Sequence, residues 1–373
     1  MIIVFHALSF DVSGFNLKHP RIVGPILERL NVGVPIFFVL SGYLIGRPFV
    51  EKILSDQRLP PLRITYAKRL ARVLPAYWVA LVILTSLRAV TVPDASTFLR
   101  NFLLIHTYFP KTVFTGIIQA WTLSIEMSFY LALPLAFALL QPKLRRRSPK
   151  VRTQVLAGVC VVAMVARYPF WWLWSISEAA PLQTAHIWLP AYADTLAAGV
   201  LISVFMVASE NFPKVARWRQ VLSRFSVPIL LSSAVTFFAL SRIGLPLGPS
   251  LVSFRVQILG HFLYSLTAIL FVFPFTITNI APSRVLRPIP WLSSISYGVY
   301  LWHRMLMSGS FADKLLPFEP KDGPVLIHLA IIISTSLFIG AISYRIVEKP
   351  IMDRVNRWAA SRMPPPVEVQ TRP

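Results

Sequence analysis

AWTLSIEMSFYLALPLAF, residues 120–137, is the stretch that decides the class of this chain. Apart from Glu126 and a few hydroxyl groups it is an apolar run close to the ~20 residues a helix needs to cross a hydrocarbon core of ~30 Å. An ionised carboxylate at such depth is expensive and is tolerated where it faces a bundle interior or a watery cavity. His6, Arg167, Asp194, His261, His303 and Arg304 stand in similar runs. The sequence therefore predicts a polar site built inside a membrane protein.

Composition points the same way. The 373 residues are 55% hydrophobic and 14% charged, with a mean hydropathy of +0.63, too apolar for an ordinary soluble domain. A formal net charge of +22 would suit a nucleic-acid partner, but the Lys and Arg residues fall in short clusters between apolar runs. That pattern argues for membrane topology and against nucleic acid. The single cysteine, Cys160, lies in an apolar run and excludes a disulfide framework or a CxxC metal site. No HExxH or comparable cluster suggests a bound metal, and no basic segment precedes the first apolar residues as a cleavable signal would require.

Apolar stretches near span length fall at 31–50, 73–90, 121–141, 153–174, 187–208, 225–242, 255–278, 291–310 and 324–345. Residues 1–10 rise only about 15 Å as helix and are read as the outer half of a first span whose native start lies upstream. Alternating the spans puts 25 Lys and Arg on one side and 11 on the other, and the basic side is the cytoplasmic one. The expected fold is all-α, a polytopic membrane helix bundle of about ten transmembrane helices with both termini cytoplasmic. One membrane domain covers 1–352, followed by a cytoplasmic disordered tail at 353–373, most clearly from about Ala359 with PPP at 364–366. The short stretch 98–109 is expected as a re-entrant or surface helix outside, and Trp171, Trp172 and Trp174 as an outer aromatic belt. No separate soluble domain or fixed-period repeat is visible.

Several motifs carry candidate chemistry. In FFVLSGYLI (37–45), Ser41 and Gly42 are small enough to admit a neighbouring helix or a ligand. In YAKRLARVLPAYW (66–78), Lys68, Arg69 and Arg72 bring cations onto one helical face, suited to phosphate or to anchoring at the cytoplasmic surface. Glu126 and Tyr130 share a face, with Phe129 beside them; the carboxylate could orient a histidine, act as a base, or pair with Arg167 or another cation. In SYGVYLWH (296–303), Ser296, Tyr300 and His303 form a polar stripe, for function or for helix-to-helix hydrogen bonding. His6, a lone imidazole in an apolar helix, is a natural proton acceptor or a packing histidine.

Taken in order, VFHAL around His6, FFVLSGYLI, KRLARVLPAYW, WTLSIEMSFY, SYGVYLWH and VEKP (347–350) resemble the acyltransferase-3 family of integral-membrane acyltransferases, over residues 1 to about 352. The resemblance implies transfer of an acyl group, acetyl above all, from cytoplasmic acyl-CoA to a hydroxyl of an extracytoplasmic or lipid-linked sugar. It implies His6 as the catalytic base and Glu126 as a partner that positions or polarises. Arg69 and Arg72, with Lys68 and Ser41, would bind acyl-CoA (acetyl-CoA), a donor substrate and not a resident cofactor. Trp121, Tyr130, Tyr300 and His303 would face the substrates, with Ser41, Tyr300 or His303 as candidates for stabilising the oxyanion. The implied partners are acyl-CoA, a sugar or glycolipid acceptor and membrane lipids, and the implied location is the bacterial cytoplasmic (inner) membrane. The family's first helix carries an arginine eleven residues before its histidine, whereas five residues precede His6; an upstream native start would supply it. A membrane transporter or flippase for a glycan or lipid-linked substrate is the alternative, although neither inverted repeats nor broken helices are read.

Overall fold

In a computed structural model of the chain, residues 1–9, 23–176, 180–244, 254–278, 287–307 and 325–362 are described. Their regular structure is helical, with no strand among them. The α-helices in chain order are α1 Ile2–Ser9, α2 Val23–Leu27, α3 Gly33–Leu54, α4 Leu62–Ser86, α5 Ala95–Phe102, α6 Trp121–Leu144 and α7 Pro149–Ile176. They continue as α8 Ala193–Asn211, α9 Pro213–Arg224, α10 Ser226–Arg242, α11 Phe254–Ile277, α12 Ile289–Trp302, α13 Val325–Ser343 and α14 Lys349–Ala360. The expected all-α bundle is what the chain forms.

Among the described residues, seven helices are long and apolar enough to cross a membrane, and α9 with α10, bent by 64°, adds an eighth if the pair forms one span and not a re-entrant loop. The count is below the expected ten for a local reason. The stretch 291–310 was to be a span, but α12 has 14 residues and tightens into a 3-10 turn at His303–Met307. α1 has eight residues. The stretch 98–109 holds the end of α5, also eight residues and so about 12 Å long, followed by a 3-10 turn at His106–Tyr108. α5 hangs from α4: Tyr77 Oη donates to the Asn101 carbonyl at 2.8 Å, and Trp78 Nε1 donates to the Phe102 carbonyl at 2.9 Å. Asp94 caps α5, accepting from Thr97 N at 2.8 Å and Thr97 Oγ1 at 3.0 Å, and these bonds hold its carboxyl below the usual range.

Leu44, Leu139, Val162, Val235 and Phe338 are exposed, as side chains facing lipid are. Phe38, Tyr77, Leu81, Leu123, Ile125 and Leu196 fill the interior. Among the described residues, α3 packs tightly on α8. A Cβ on Gly42 would stand 2.1 Å from the Leu196 carbonyl oxygen, and one on Gly199 would stand 2.1 Å from the Val39 carbonyl oxygen. Two glycines are therefore what lets these backbones touch, and the small residues of FFVLSGYLI divide their labour: Gly42 packs and Ser41 turns inward.

The bundle has two distinguishable ends. At the basic end, Arg152 at the start of α7 donates to the Ile53 carbonyl of α3 at 3.0 Å and to the Leu144 carbonyl of α6 at 3.1 Å. Arg47 bonds Glu210 there at 2.8 Å, tying α3 to α8. At the other end, residues from the starts of α3, α6 and α8, from the first half of α11 and from the last third of α7 line one cavity. Trp171 is not part of an aromatic belt: it is buried, its ring 4.2 Å from that of His261, while Trp172 is exposed. The disorder expected from residue 353 is replaced by α14 as far as Ala360, with Ala359 buried and Arg63 of α4 lying 5.6 Å over the Trp358 ring. Residues 363–373, with the PPP stretch, lie outside the described residues.

Candidate active site

The apolar helices bury polar groups in separate clusters. In the first, α1 packs against the turn after α12, which brings His6 Nδ1 to 2.7 Å from His303 Nε2, the two ring planes 9° apart. His303 Nδ1 lies 2.7 Å from the Tyr300 carbonyl oxygen. A carbonyl can only accept, so His303 carries its proton on Nδ1 and, when neutral, presents a lone pair at Nε2. That lone pair accepts from His6 Nδ1–H. The chain of bonds thus fixes both tautomers and leaves the basic lone pair of His6 on Nε2. His303 itself is fully buried.

The second cluster surrounds Glu126, buried on α6. Its carboxylate accepts from Ser41 Oγ of α3 at 3.3 Å and from the hydroxyl of Tyr130 one turn on. Arg69 and Arg72 act on it through space, and the Arg69 guanidinium lies 5.8 Å over the Tyr130 ring. Arg72 acts also on Glu348, a buried carboxylate of the VEKP motif that accepts from Ser343 Oγ at 3.2 Å. Two arginines thus face two buried carboxylates, an arrangement without net charge when all are ionised. Lys68, on the same helix, forms no hydrogen bond or ion pair among the described residues.

Tyr300 stands between the clusters. Its hydroxyl is 2.6 Å from Thr122 Oγ1 and donates to the Gln119 carbonyl at 2.8 Å, while Gln119 Nε2 donates to the Leu301 carbonyl at 3.0 Å. These bonds pin the start of α6 to the end of α12.

Several expectations change with this geometry. Glu126 was to position His6, but among the described residues no hydrogen bond joins them; His303 occupies that place, and the carboxylate is taken by Ser41, Tyr130 and the arginines. Arg69 and Arg72, expected to contact phosphate or anchor the chain at the cytoplasmic surface, also act through space on Glu126 because α4 packs on α6. The alternative partner for Glu126, Arg167, pairs instead with Asp194 and donates to Ser265 Oγ at 2.8 Å. The three oxyanion candidates have their protons engaged: Ser41 with Glu126, Tyr300 with Gln119, His303 with the Tyr300 carbonyl. Ser296 takes no part in the polar stripe, donating to the Ser293 carbonyl of its own helix. Trp121 lies at the non-basic end, 5.6 Å from the Tyr192 ring.

Sequence reasoning missed the partnership of His303 with His6 and the burial of Glu348. The signal for the first was present, two histidines in apolar runs; their 297-residue separation hid the contact.

Fold and interior together define a polytopic membrane protein with a histidine pair and compensated charges inside its helix bundle. A family model described as "Acyltransferase domain" matches residues 1–345, and the chain belongs to that family. Peptidoglycan O-acetyltransferase OatA of Listeria monocytogenes is 23% identical over 367 residues, an alignment covering 90% of this chain and 55% of that protein. O-acetyltransferase OatA of Staphylococcus aureus is 22% identical over 361 residues, covering 90% and 56%. The chain thus spans a little over half the length of these relatives. No solved structure matches it significantly.

Proposed function

We propose that this chain is an integral-membrane O-acyltransferase that moves an acyl group, acetyl in the first instance, from acyl-CoA to a hydroxyl of a sugar or glycolipid acceptor. The observation that carries the reading is the 2.7 Å bond from His6 to His303, with the Tyr300 carbonyl fixing the tautomer behind it. In this reading the His6 Nε2 lone pair takes the proton of the acceptor hydroxyl as its oxygen attacks the thioester carbonyl. His303 Nε2 then stabilises the imidazolium by accepting the remaining Nδ1–H. On collapse of the tetrahedral intermediate the C–S bond breaks, CoA leaves as the thiol with the proton from His6, and the new ester stays on the sugar.

The basic end, by the positive-inside rule, is cytoplasmic and is where acyl-CoA enters. Lys68 with Arg69 and Arg72, whose α4 helix starts at that end, contact its phosphates, and Ser41 and Glu126 line the way toward the histidines. The acceptor comes from the opposite face, and the name of one relative, a peptidoglycan O-acetyltransferase, supports a glycan as that acceptor. The bacterial cytoplasmic membrane is the setting these assignments fit.

The test is transfer of radiolabelled acetyl from acetyl-CoA to glycan by membranes containing the chain. His6→Ala at equal abundance should abolish it, and Arg69→Gln should raise the KM for acetyl-CoA and leave that for acceptor in place. Movement of glycan across the membrane without a covalent change would instead make the protein a transporter.

A further inference from the structure

The cavity at the non-basic end is distinct from the histidine pair and from Glu126. It measures about 120 Å³, and Asn31, Trp121, Arg167, Tyr192, Tyr264 and Ser265 are among the residues that line it. Three properties define what it could hold. First, its walls are partly aromatic, with the Trp121 and Tyr192 rings 5.6 Å apart and tilted by 42°. Second, it has hydrogen-bonding capacity in both directions. Tyr264 Oη donates to Asn31 Oδ1 at 2.6 Å, which leaves the Asn31 amide nitrogen as donor, and Ser265 Oγ bridges Arg167 and Asp194. Third, the Arg167 guanidinium, the charged group among its lining residues, is already paired with Asp194. The other oxygen of that carboxylate, Asp194 Oδ1, is buried without a hydrogen-bond partner among the described residues, so an acceptor awaits a donor behind the Arg167 wall.

An anion would find the Arg167 cation in the wall already neutralised, and an aliphatic chain would strand these polar groups unsatisfied. Aromatic faces joined to neutral donors and acceptors fit a sugar ring, apolar on its C–H face and polar around its rim. The cavity lies far below the ~300–1,000 Å³ of larger ligand sites, which admits one ring of a glycan and not an extended chain. It is also close to the histidine pair. Asn31 sits in the 3-10 turn Leu30–Val32, against which α1 packs. Trp121 immediately precedes Thr122, which is bonded to Tyr300, whose carbonyl holds His303.

We infer that this cavity is the acceptor subsite, binding one neutral pyranose unit so that a hydroxyl of that unit or of its neighbour reaches His6. The inference rests on the acyltransferase reading. Its test uses the full chain in lipid nanodiscs with N-acetylglucosamine oligomers as acceptor and acetyl-CoA as donor. Asn31→Ala and Tyr264→Phe should each raise the acceptor KM at least 10-fold while the acetyl-CoA KM moves less than two-fold. A shift in the donor KM instead would make the cavity a donor site and overturn the inference, as would no shift in either. A second measurement is independent of turnover: saturation-transfer NMR with N-acetylglucosamine should show contacts to the wild-type protein that both variants lose. If wild type transfers no acetyl yet shows those contacts, the acyltransferase reading fails and the sugar subsite stands. If transfer occurs and wild type shows no contact, the subsite fails and the reading stands.

Discussion

Replacing His303 by Phe keeps a ring of similar size in a fully buried position and removes both nitrogens. In the proposed reaction His303 Nε2 accepts the Nδ1–H of a His6 that becomes cationic in the transition state. A hydrogen bond to a charged group contributes about 1.5–3 kcal/mol, and each 1.36 kcal/mol is about ten-fold in rate. The expected loss in kcat is therefore about 10- to 150-fold, with the acetyl-CoA KM nearly unchanged because no donor contact is touched. Phe also leaves the Tyr300 carbonyl and the His6 Nδ1–H unpaired, so thermal stability in detergent must be measured alongside and rates normalised to folded protein. Gln at 303 can present its amide oxygen toward His6 and should recover part of the lost rate. Steady-state transfer of radiolabelled acetyl provides the assay. A folded His303→Phe protein with kcat within two-fold of wild type would refute the pairing of these imidazoles as a catalytic unit.

Other consequences follow from packing and charge. Gly42→Ala places a Cβ 2.1 Å from the Leu196 carbonyl oxygen; α3 and α8 must part, costing about 1–3 kcal/mol, and both melting temperature and activity should fall further than in Ser41→Ala. Asp194→Asn leaves Arg167 buried without its counterion and should destabilise by about 3–5 kcal/mol. The double change Arg167→Met with Asp194→Leu should regain most of that in a thermal melt, although not acceptor binding. His106, in the connection after α5, is buried with neither ring nitrogen hydrogen-bonded among the described residues, and burial lowers its pKa from 6.5 to about 4. The folded state therefore resists protonation that the unfolded chain accepts: stability is full above about pH 6.5 and is lost as pH falls toward 4, on the order of 3 kcal/mol. His106→Leu should flatten that part of the melting temperature against pH; an unaltered slope would mean that other groups cause it.

What could be read from the sequence follows a physical divide. Glu126, Arg167, Asp194 and the histidines stood out because charge or titratable nitrogen in an apolar run is costly wherever the helix lands. Tyr130 was legible as the neighbour of Glu126 because four residues make one helical turn. Contacts between helices were not legible: nothing in the spacing says that Arg167 meets Asp194 and not Glu126, or that His303 meets His6. Asn31 and Tyr264 carried no signal, since a polar residue near a helix end is ordinary. The helix count erred where hydropathy was the only guide, for α12 is apolar enough to span but is cut short where the chain tightens into the His303–Met307 turn.

The choice of histidine, and not carboxylate, as the partner of His6 has a reason in the surrounding solvent. A His–carboxylate pair carries a negative charge at rest, and burying it within a bilayer would need a compensating cation held near the reacting atoms. Such a cation would also draw off the imidazolium stabilisation that the pair exists to provide. Two imidazoles are neutral at rest, so the site costs little until the hydroxyl proton arrives, and charge then appears only in the step that needs it. The bundle does contain buried carboxylates, and arginines act on them: Arg69 and Arg72 through space on Glu126, Arg72 also on Glu348, and Arg167 in an ion pair with Asp194. On this argument an added carboxylate should not help. His303→Glu would put an unpaired negative charge against His6, and the expected outcome is a protein less stable and less active than His303→Gln. A His303→Glu enzyme that matched or exceeded wild-type transfer would show that the neutrality of the pair is not what the membrane setting demands.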